Sequence, residues 1–323
     1  MNVRRLIPTA AMAGAVTLGL VSLSACSASD AADGGDKKGG EKLGITASFY
    51  PLQFLATEIG GDHVSVTTLT PPGVEPHDLE LKPRDVARLG DAGVILYLKG
   101  VAPAVDDAVA QSGDENVVDA GSLTTLEKHG TEAGVHEETH EAEAEEATPD
   151  GNDPHIWLDP VRFAEVAQGV GASFEKADPD HAADYKKNTD ALVKKLGDLD
   201  SAFKQGLANT TGKTFITTHA AFGYLAERYG LEQEAIVGMD PEAEPSPARI
   251  SDLGAVAKRE KVSTVFFETL TSDKTAKTIA ADAGLKTDVL DPIEGITDRS
   301  KGGDYIEVME SNLTALQKAL GAK

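Results

Sequence analysis

Residues 180–208 read DHAADYKKNTDALVKKLGDLDSAFKQGLA. Tyr185, Leu192, Leu196, Leu199, Phe203 and Leu207 recur at spacings of three, four and seven, which marks one helix with a single buried stripe. At about 1.5 Å per residue this helix is roughly 40 Å long. A crossover above one sheet needs much less, whereas a connector between two lobes needs about this length.

On either side of it the chain alternates. Before it, β-rich runs at 44–49, 64–69, 94–98 and 117–119 are separated by helix candidates at 51–59, 84–91 and 103–111, and another helix is expected at 161–176. After it, strands at 214–218, 234–237, 262–267 and 287–290 alternate with helices near 221–229, 247–260, 273–283 and 304–320. Strands alternating with short helices imply a parallel sheet with crossover helices. The expected fold is therefore α/β, with two parallel-sheet (βα)4-type lobes joined by a long rigid helix. The lobes are expected at 43–178 and 210–323, with the connector at 179–209. No sequence repeat is strong enough to mark a duplication.

The N-terminal residues carry different information. Arg4 and Arg5 precede an apolar run over 6–21 and then Leu23-Ser24-Ala25-Cys26. A basic start, a short alanine-rich apolar stretch and a small-residue cleavage site predict a signal peptide over 1–25 rather than a membrane span. Cys26 directly after Leu-Ser-Ala resembles the bacterial lipobox, so lipidation is expected there, with the protein exported and anchored to the outer face of the cell membrane. Residues 26–42, rich in Ser, Asp, Gly and Lys, are expected to be a flexible tether. With a single cysteine there is no internal disulfide, so stability must come from packing. Lys and Arg number 30 against 53 Asp and Glu, a net charge of −23, which argues against nucleic acid and for a cationic partner.

Residues 127–150 hold nine carboxylates, one lysine and three histidines, His129, His136 and His140, with Val135 as the only large apolar residue. Such a segment cannot bury enough surface to order itself and is expected to be a mobile loop.

Ligands of open parallel sheets bind beyond the carboxyl ends of the strands. His77 lies in the loop after the strand at 64–69, and His219 closes the strand at 214–218. His155 sits in Asp153-Pro-His-Ile-Trp-Leu-Asp-Pro160, and Asp291 and Glu294 follow the last strand in Leu290-Asp-Pro-Ile-Glu-Gly295. One such histidine is commonly an ordinary hydrogen-bonded loop residue, but three at or near strand ends weaken that account jointly. Three imidazoles and a carboxylate make a closed tetrahedral set that suits Zn²⁺. His63, in a turn, and His181, at a helix start, are expected to be surface residues. Pro76 and Pro154, each directly before a histidine, restrict the residue preceding them.

With these residues in hand, the chain resembles the zinc and manganese substrate-binding lipoproteins of bacterial ABC importers, over essentially the whole mature length. The resemblance is carried by the lipobox, Glu75-Pro-His-Asp-Leu-Glu80, Asp153–Pro160, Thr218-His-Ala-Ala-Phe-Gly-Tyr224, and Phe266-Phe-Glu268 ahead of 290–295. It implies two α/β lobes joined by a rigid helix, one metal site in the interlobe cleft, and delivery to a membrane permease. His77, His155 and His219 match the three histidine ligand positions. The fourth ligand is a carboxylate at Glu294 or at Asp291, and the Pro-Ile-Glu-Gly context resembles the zinc branch that uses the glutamate. Glu268 is expected to support the cleft through hydrogen bonds.

Manganese relatives tend to carry glutamate at the position of His219, so the resemblance favours zinc. The loop 127–150 resembles the histidine-bearing loop of zinc members, and its histidines are an auxiliary metal set that collects zinc or else part of a solvated acidic loop. Removal of 127–150 is expected to leave cleft affinity nearly intact but to slow capture or transfer. The function implied is a monomeric, non-enzymatic zinc carrier. The alternatives are a manganese or iron carrier of the same family, a zinc-dependent hydrolase with an open fourth position, and a surface adhesin. The hydrolase lacks His-Glu-x-x-His, and no residue here points to a host ligand for an adhesin.

Overall fold

The computed structural model describes residues 42–113, 116–134 and 151–322. Residues 1–41, and with them the signal peptide, Cys26 and all but the last residue of the tether, lie outside this set, as do His136 and His140.

Four strands, β1 (Leu43–Ala47), β2 (Val64–Thr68), β3 (Val94–Tyr97) and β4 (Val117–Asp119), form a parallel sheet in the order β2-β1-β3-β4. The helices α1 (Tyr50–Gly60), α2 (Pro83–Leu89) and α3 (Pro103–Ser112) connect them. Then follow β5 (Glu132–Gly134), α4 (Pro160–Ala177) and the 26-residue α5 (Ala182–Leu207). The second sheet contains β6 (Thr214–Thr217), β7 (Glu232–Ala235), β8 (Thr264–Phe267) and β9 (Lys286–Val289), with α6 (Gly223–Tyr229), α7 (Pro247–Arg259) and α8 (Lys274–Ala283) between them and α9 (Tyr305–Leu320) at the end. Its order is β5-β7-β6-β8-β9. Leaving β5 aside, both sheets have the second strand of their set outermost, then the first, third and fourth. The two lobes share one topology without a readable sequence repeat.

Strand pleating divides the apolar residues between two layers. Val94 and Leu96 face a continuous core that runs through α1, α4, α5, α6 and α9 to Phe215 and Phe266 of the second sheet. Ile95 faces the opposite way, onto Val105, Ala108 and Val109 of α3. Ile216 and Val265 likewise face α7 and α8. The stripe foreseen on α5, from Tyr185 to Leu207, is buried in the shared core. Close contact between α4 and α5 requires a small residue, since a Cβ on Gly171 would lie 2.3 Å from the Thr189 hydroxyl. Trp157 also ties the two halves, donating its indole N–H to the Pro292 carbonyl at 2.6 Å and receiving the Tyr305 hydroxyl on its own carbonyl at 2.5 Å.

Two expectations need correction. The strand expected at 234–237 lies at Glu232–Ala235, because Gln233 and Glu234 occupy buried ladder positions despite their polarity. The loop expected to be mobile from residue 127 is not so at its start. Residues 132–134 pair antiparallel with β7, and Arg249 of α7 donates to the Thr131 carbonyl and to Glu132. Order here comes from a backbone ladder and charged hydrogen bonds, which apolar periodicity cannot reveal.

Candidate metal centre

Three of the four candidate ligands leave the carboxyl side of a sheet. His77 follows β2, His219 follows β6 and Glu294 follows β9, while His155 ends the loop that leads to α4. All four come together. The Nε2 atoms of His155, His77 and His219 stand 3.3, 3.4 and 3.4 Å from Glu294 Oε1. His155 Nε2 and His219 Nε2 are 3.4 Å apart. All four ligand atoms lie within 4.8 Å of one another. A tetrahedron with zinc bonds of about 2.0–2.1 Å has edges of about 3.3–3.4 Å, so four of the six edges already have the separation that zinc requires. His155, His219 and Glu294 are sealed from solvent, and only the His77 side chain, 11 % exposed, reaches it.

The outer contacts set the imidazole tautomers. His155 Nδ1 meets Asp153 Oδ1 at 2.7 Å, and the same oxygen accepts the His155 backbone N–H at 2.9 Å. His219 Nδ1 meets Glu268 Oε1 at 2.7 Å, so Glu268 supports the ring as foreseen. Thr218 donates to that oxygen too, and Arg299 holds the Glu268 carbonyl. With Nδ1 engaged outward, each Nε2 points inward, the arrangement of a carboxylate–histidine–metal triad. The backbone before Glu294 is also constrained. Ile293 has φ of 60°, and Asp291 Oδ1 accepts its N–H at 2.8 Å.

Asp291 does not join the cluster. Its other oxygen accepts the Thr269 hydroxyl, and its backbone is paired with Asn312. Its place is beneath the ligand loop. His63 and His181 are remote from the cleft and partly exposed; their rings stack at 4.0 Å, and they bond Asp184 and Asp178 respectively. His129 is largely enclosed: its side chain is 8 % exposed and lies between Asp153 and Glu227, and with Glu127 and Glu227 it forms a second group whose ligand atoms lie within 4.8 Å of one another.

Electrostatics favours a cation in the centre. Burial alone would raise the Glu294 carboxyl, but the imidazoles of His219, His155 and His77 hold it well below the usual carboxylate range. Burial would lower the His219 imidazole, yet Glu268 and Glu294 push it well up, and Asp153 and Glu294 raise His155 in the same way. Glu75 was missed as a contributor: burial and then the Glu294 charge push its carboxyl up to about 10. Its Oε1 accepts the His77 N–H at 3.3 Å, as Asp153 does for His155. The repeated acidic-Pro-His tripeptide, at Glu75-Pro-His77 and Asp153-Pro-His155, was the available signal.

Comparison with known proteins places the chain. It is 36 % identical over 302 residues to the zinc-binding lipoprotein AdcA of Streptococcus pneumoniae, covering 92 % of this chain and 58 % of that protein, so the chain spans little more than half the length of this relative. It is 36 % identical over 309 residues to the high-affinity zinc uptake system protein ZnuA of Bacillus subtilis, covering 93 % of this chain and 94 % of that one. The crystal structure of the Zn(II)-bound ZnuA-like domain of Streptococcus pneumoniae AdcA superimposes with a TM-score of 0.69 at 34 % identity, covering 87 % of this chain and 99 % of that domain. Residues 45–319 match the family described as zinc-uptake complex component A, periplasmic, and the chain belongs to that family.

Proposed function

We propose that the protein captures one Zn²⁺ ion through His77, His155, His219 and Glu294 and delivers it to the permease of an ABC importer. The observation that carries this reading is the set of ligand-to-ligand distances of 3.3–3.4 Å around Glu294 Oε1, each the edge of a zinc tetrahedron. Three imidazoles favour zinc over manganese, for which oxygen-rich sets are suited. Four protein ligands leave no position for a water or substrate, which supports a carrier rather than a hydrolase. The relatives named for zinc binding and zinc uptake support the same reading.

The lobes proposed are 43–178 and 210–323, with 179–209 between them. Attachment outside the cell membrane through a lipid on Cys26 belongs to the proposal as well, as does a monomeric state. Among the described residues no helix is long and apolar enough to cross a membrane.

Competitive titration with a zinc chelator tests the assignment. One tightly bound zinc per chain and much weaker manganese are expected. Equally weak binding of both ions, or unchanged affinity in His77→Ala, would overturn it.

A further inference from the structure

The carboxylate that orients His155 is itself held by a second imidazole. His129 Nδ1 lies 2.8 Å from Asp153 Oδ2, while Asp153 Oδ1 is occupied by His155. The far side of the His129 ring meets helix α6. Its Nε2 is 3.3 Å from Glu227 Oε2, its face stands edge-on to Tyr224 at 4.6 Å, and a Cβ on Gly223 would lie 2.4 Å from its Cγ. The absence of a side chain at Gly223 is what makes room for the ring. Tyr224 completes the seam, its hydroxyl donating to the Asp153 carbonyl at 2.8 Å and accepting the Glu127 N–H at 2.8 Å. Helix α6 begins four residues after His219, and Asp153 lies two residues before His155. One ring therefore bridges the two chain segments that carry the cleft imidazoles.

Resting on the zinc-site reading above, we propose that His129 is a positioning residue of that site: it clamps Asp153 against α6 and so fixes the placement of His155 relative to His219. The start of the acidic segment then acts through the cleft rather than apart from it. Residues 127–134 form a strap, anchored on one side by β5 and Arg249 and on the other by the ion pair of Glu127 with Arg162. A carboxylate fixed at both oxygens loses the freedom to rotate away from His155, and the imidazole keeps the tautomer that presents Nε2 to the metal.

The test compares full-length His129→Ala, His129→Asn and Gly223→Ala with the parent. The measurements are zinc affinity by chelator competition, zinc stoichiometry, the visible bands of the cobalt(II)-loaded protein, and the metal-free melting temperature. Outer partners of metal ligands are commonly worth 10–100-fold in affinity. His129→Ala is expected to weaken zinc by about 10-fold and to shift the cobalt bands, with one ion still bound per chain. His129→Asn, whose carboxamide N–H replaces Nδ1–H, should recover most of the loss. Gly223→Ala, which displaces an unaltered ring, should reproduce it. Zinc affinity and cobalt bands unchanged in His129→Ala would overturn the proposal, even with a lowered melting temperature, because the residue would then be merely structural. A fall in stoichiometry with the cleft affinity unchanged would also overturn it, by making His129 a ligand of another ion. His155→Ala measured alongside separates the two readings: if it still binds zinc tightly, the ligand assignment falls whatever His129 does.

Discussion

Nε2 of His155 and Nε2 of His219 face each other at 3.4 Å across 64 residues of chain. Each ring has committed its Nδ1 to a carboxylate, so the two Nε2 atoms converge beside Glu294 Oε1, and both rings are buried. On the proposed function, this is a metal site arranged before the ion arrives.

The two carboxylates that follow β9 have separable roles. Glu294→Ala is expected to weaken zinc by more than about 100-fold, since a direct ligand is worth more than an outer partner. Asp291→Ala should alter cleft affinity far less but destabilise the fold by about 1–3 kcal/mol, because the buried Ile293 N–H loses its acceptor. Chelator competition and denaturant unfolding on both variants check the distinction. A loss of zinc confined to Asp291→Ala would reverse it.

Glu268→Ala removes the partner of His219 Nδ1 without removing a ligand. Affinity should drop by about 10–100-fold. The cobalt-loaded variant should show broadened bands as the ring gains freedom. Parent-like affinity would show that packing alone orients His219.

On the proposed function zinc binds only the folded chain, so it should stabilise by mass action. At free zinc about 1,000 times the dissociation constant the gain is about 4 kcal/mol, or roughly 10 °C in melting temperature for a protein of this size. Thermal unfolding with and without zinc measures it. His219→Ala should lose nearly the entire shift.

Gly171→Ala places a methyl group against the buried Thr189 hydroxyl, far along α4 from the metal ligands. Overpacking at a tight helix contact costs about 1–3 kcal/mol. Unfolding in urea should show that loss while zinc stoichiometry stays at one. A neutral substitution would mean that α4 and α5 separate with little resistance.

Asp288 accepts hydrogen bonds from Lys301 at 2.9 Å and Lys318 at 2.8 Å. Partial burial opposes its charge, yet the two ammonium groups hold the carboxyl down at about 2. A depressed native value means that the stabilisation is complete above the unfolded pKa of about 4 and is lost as pH falls towards 2. Asp288→Asn should therefore cost about 0.5–1 kcal/mol at neutral pH, and the difference should shrink as pH falls below about 4 and vanish below about pH 2. Urea unfolding across this range provides the check; a difference independent of pH would exclude the ionic origin.

Much of the architecture was legible because it rests on local periodicity. Tyr185, Leu192 and Leu199 announce one long helix, and short β-rich runs between helices announce parallel sheets. The histidines were legible as candidates because each stands beyond a strand or beside a proline-marked turn. What the sequence by itself determined is thus most of the order of elements, one long helix and a short roll of candidate ligand residues. Only the tertiary structure decided that Glu294 rather than Asp291 meets the three imidazoles, since both follow the same strand and differ only in where a left-handed Ile293 turns the backbone. It also decided that 127–134 is held and that His129 touches Asp153. Those contacts pair residues 24 to 118 positions apart through backbone ladders and charged hydrogen bonds, and neither leaves a periodic trace in the chain that makes them.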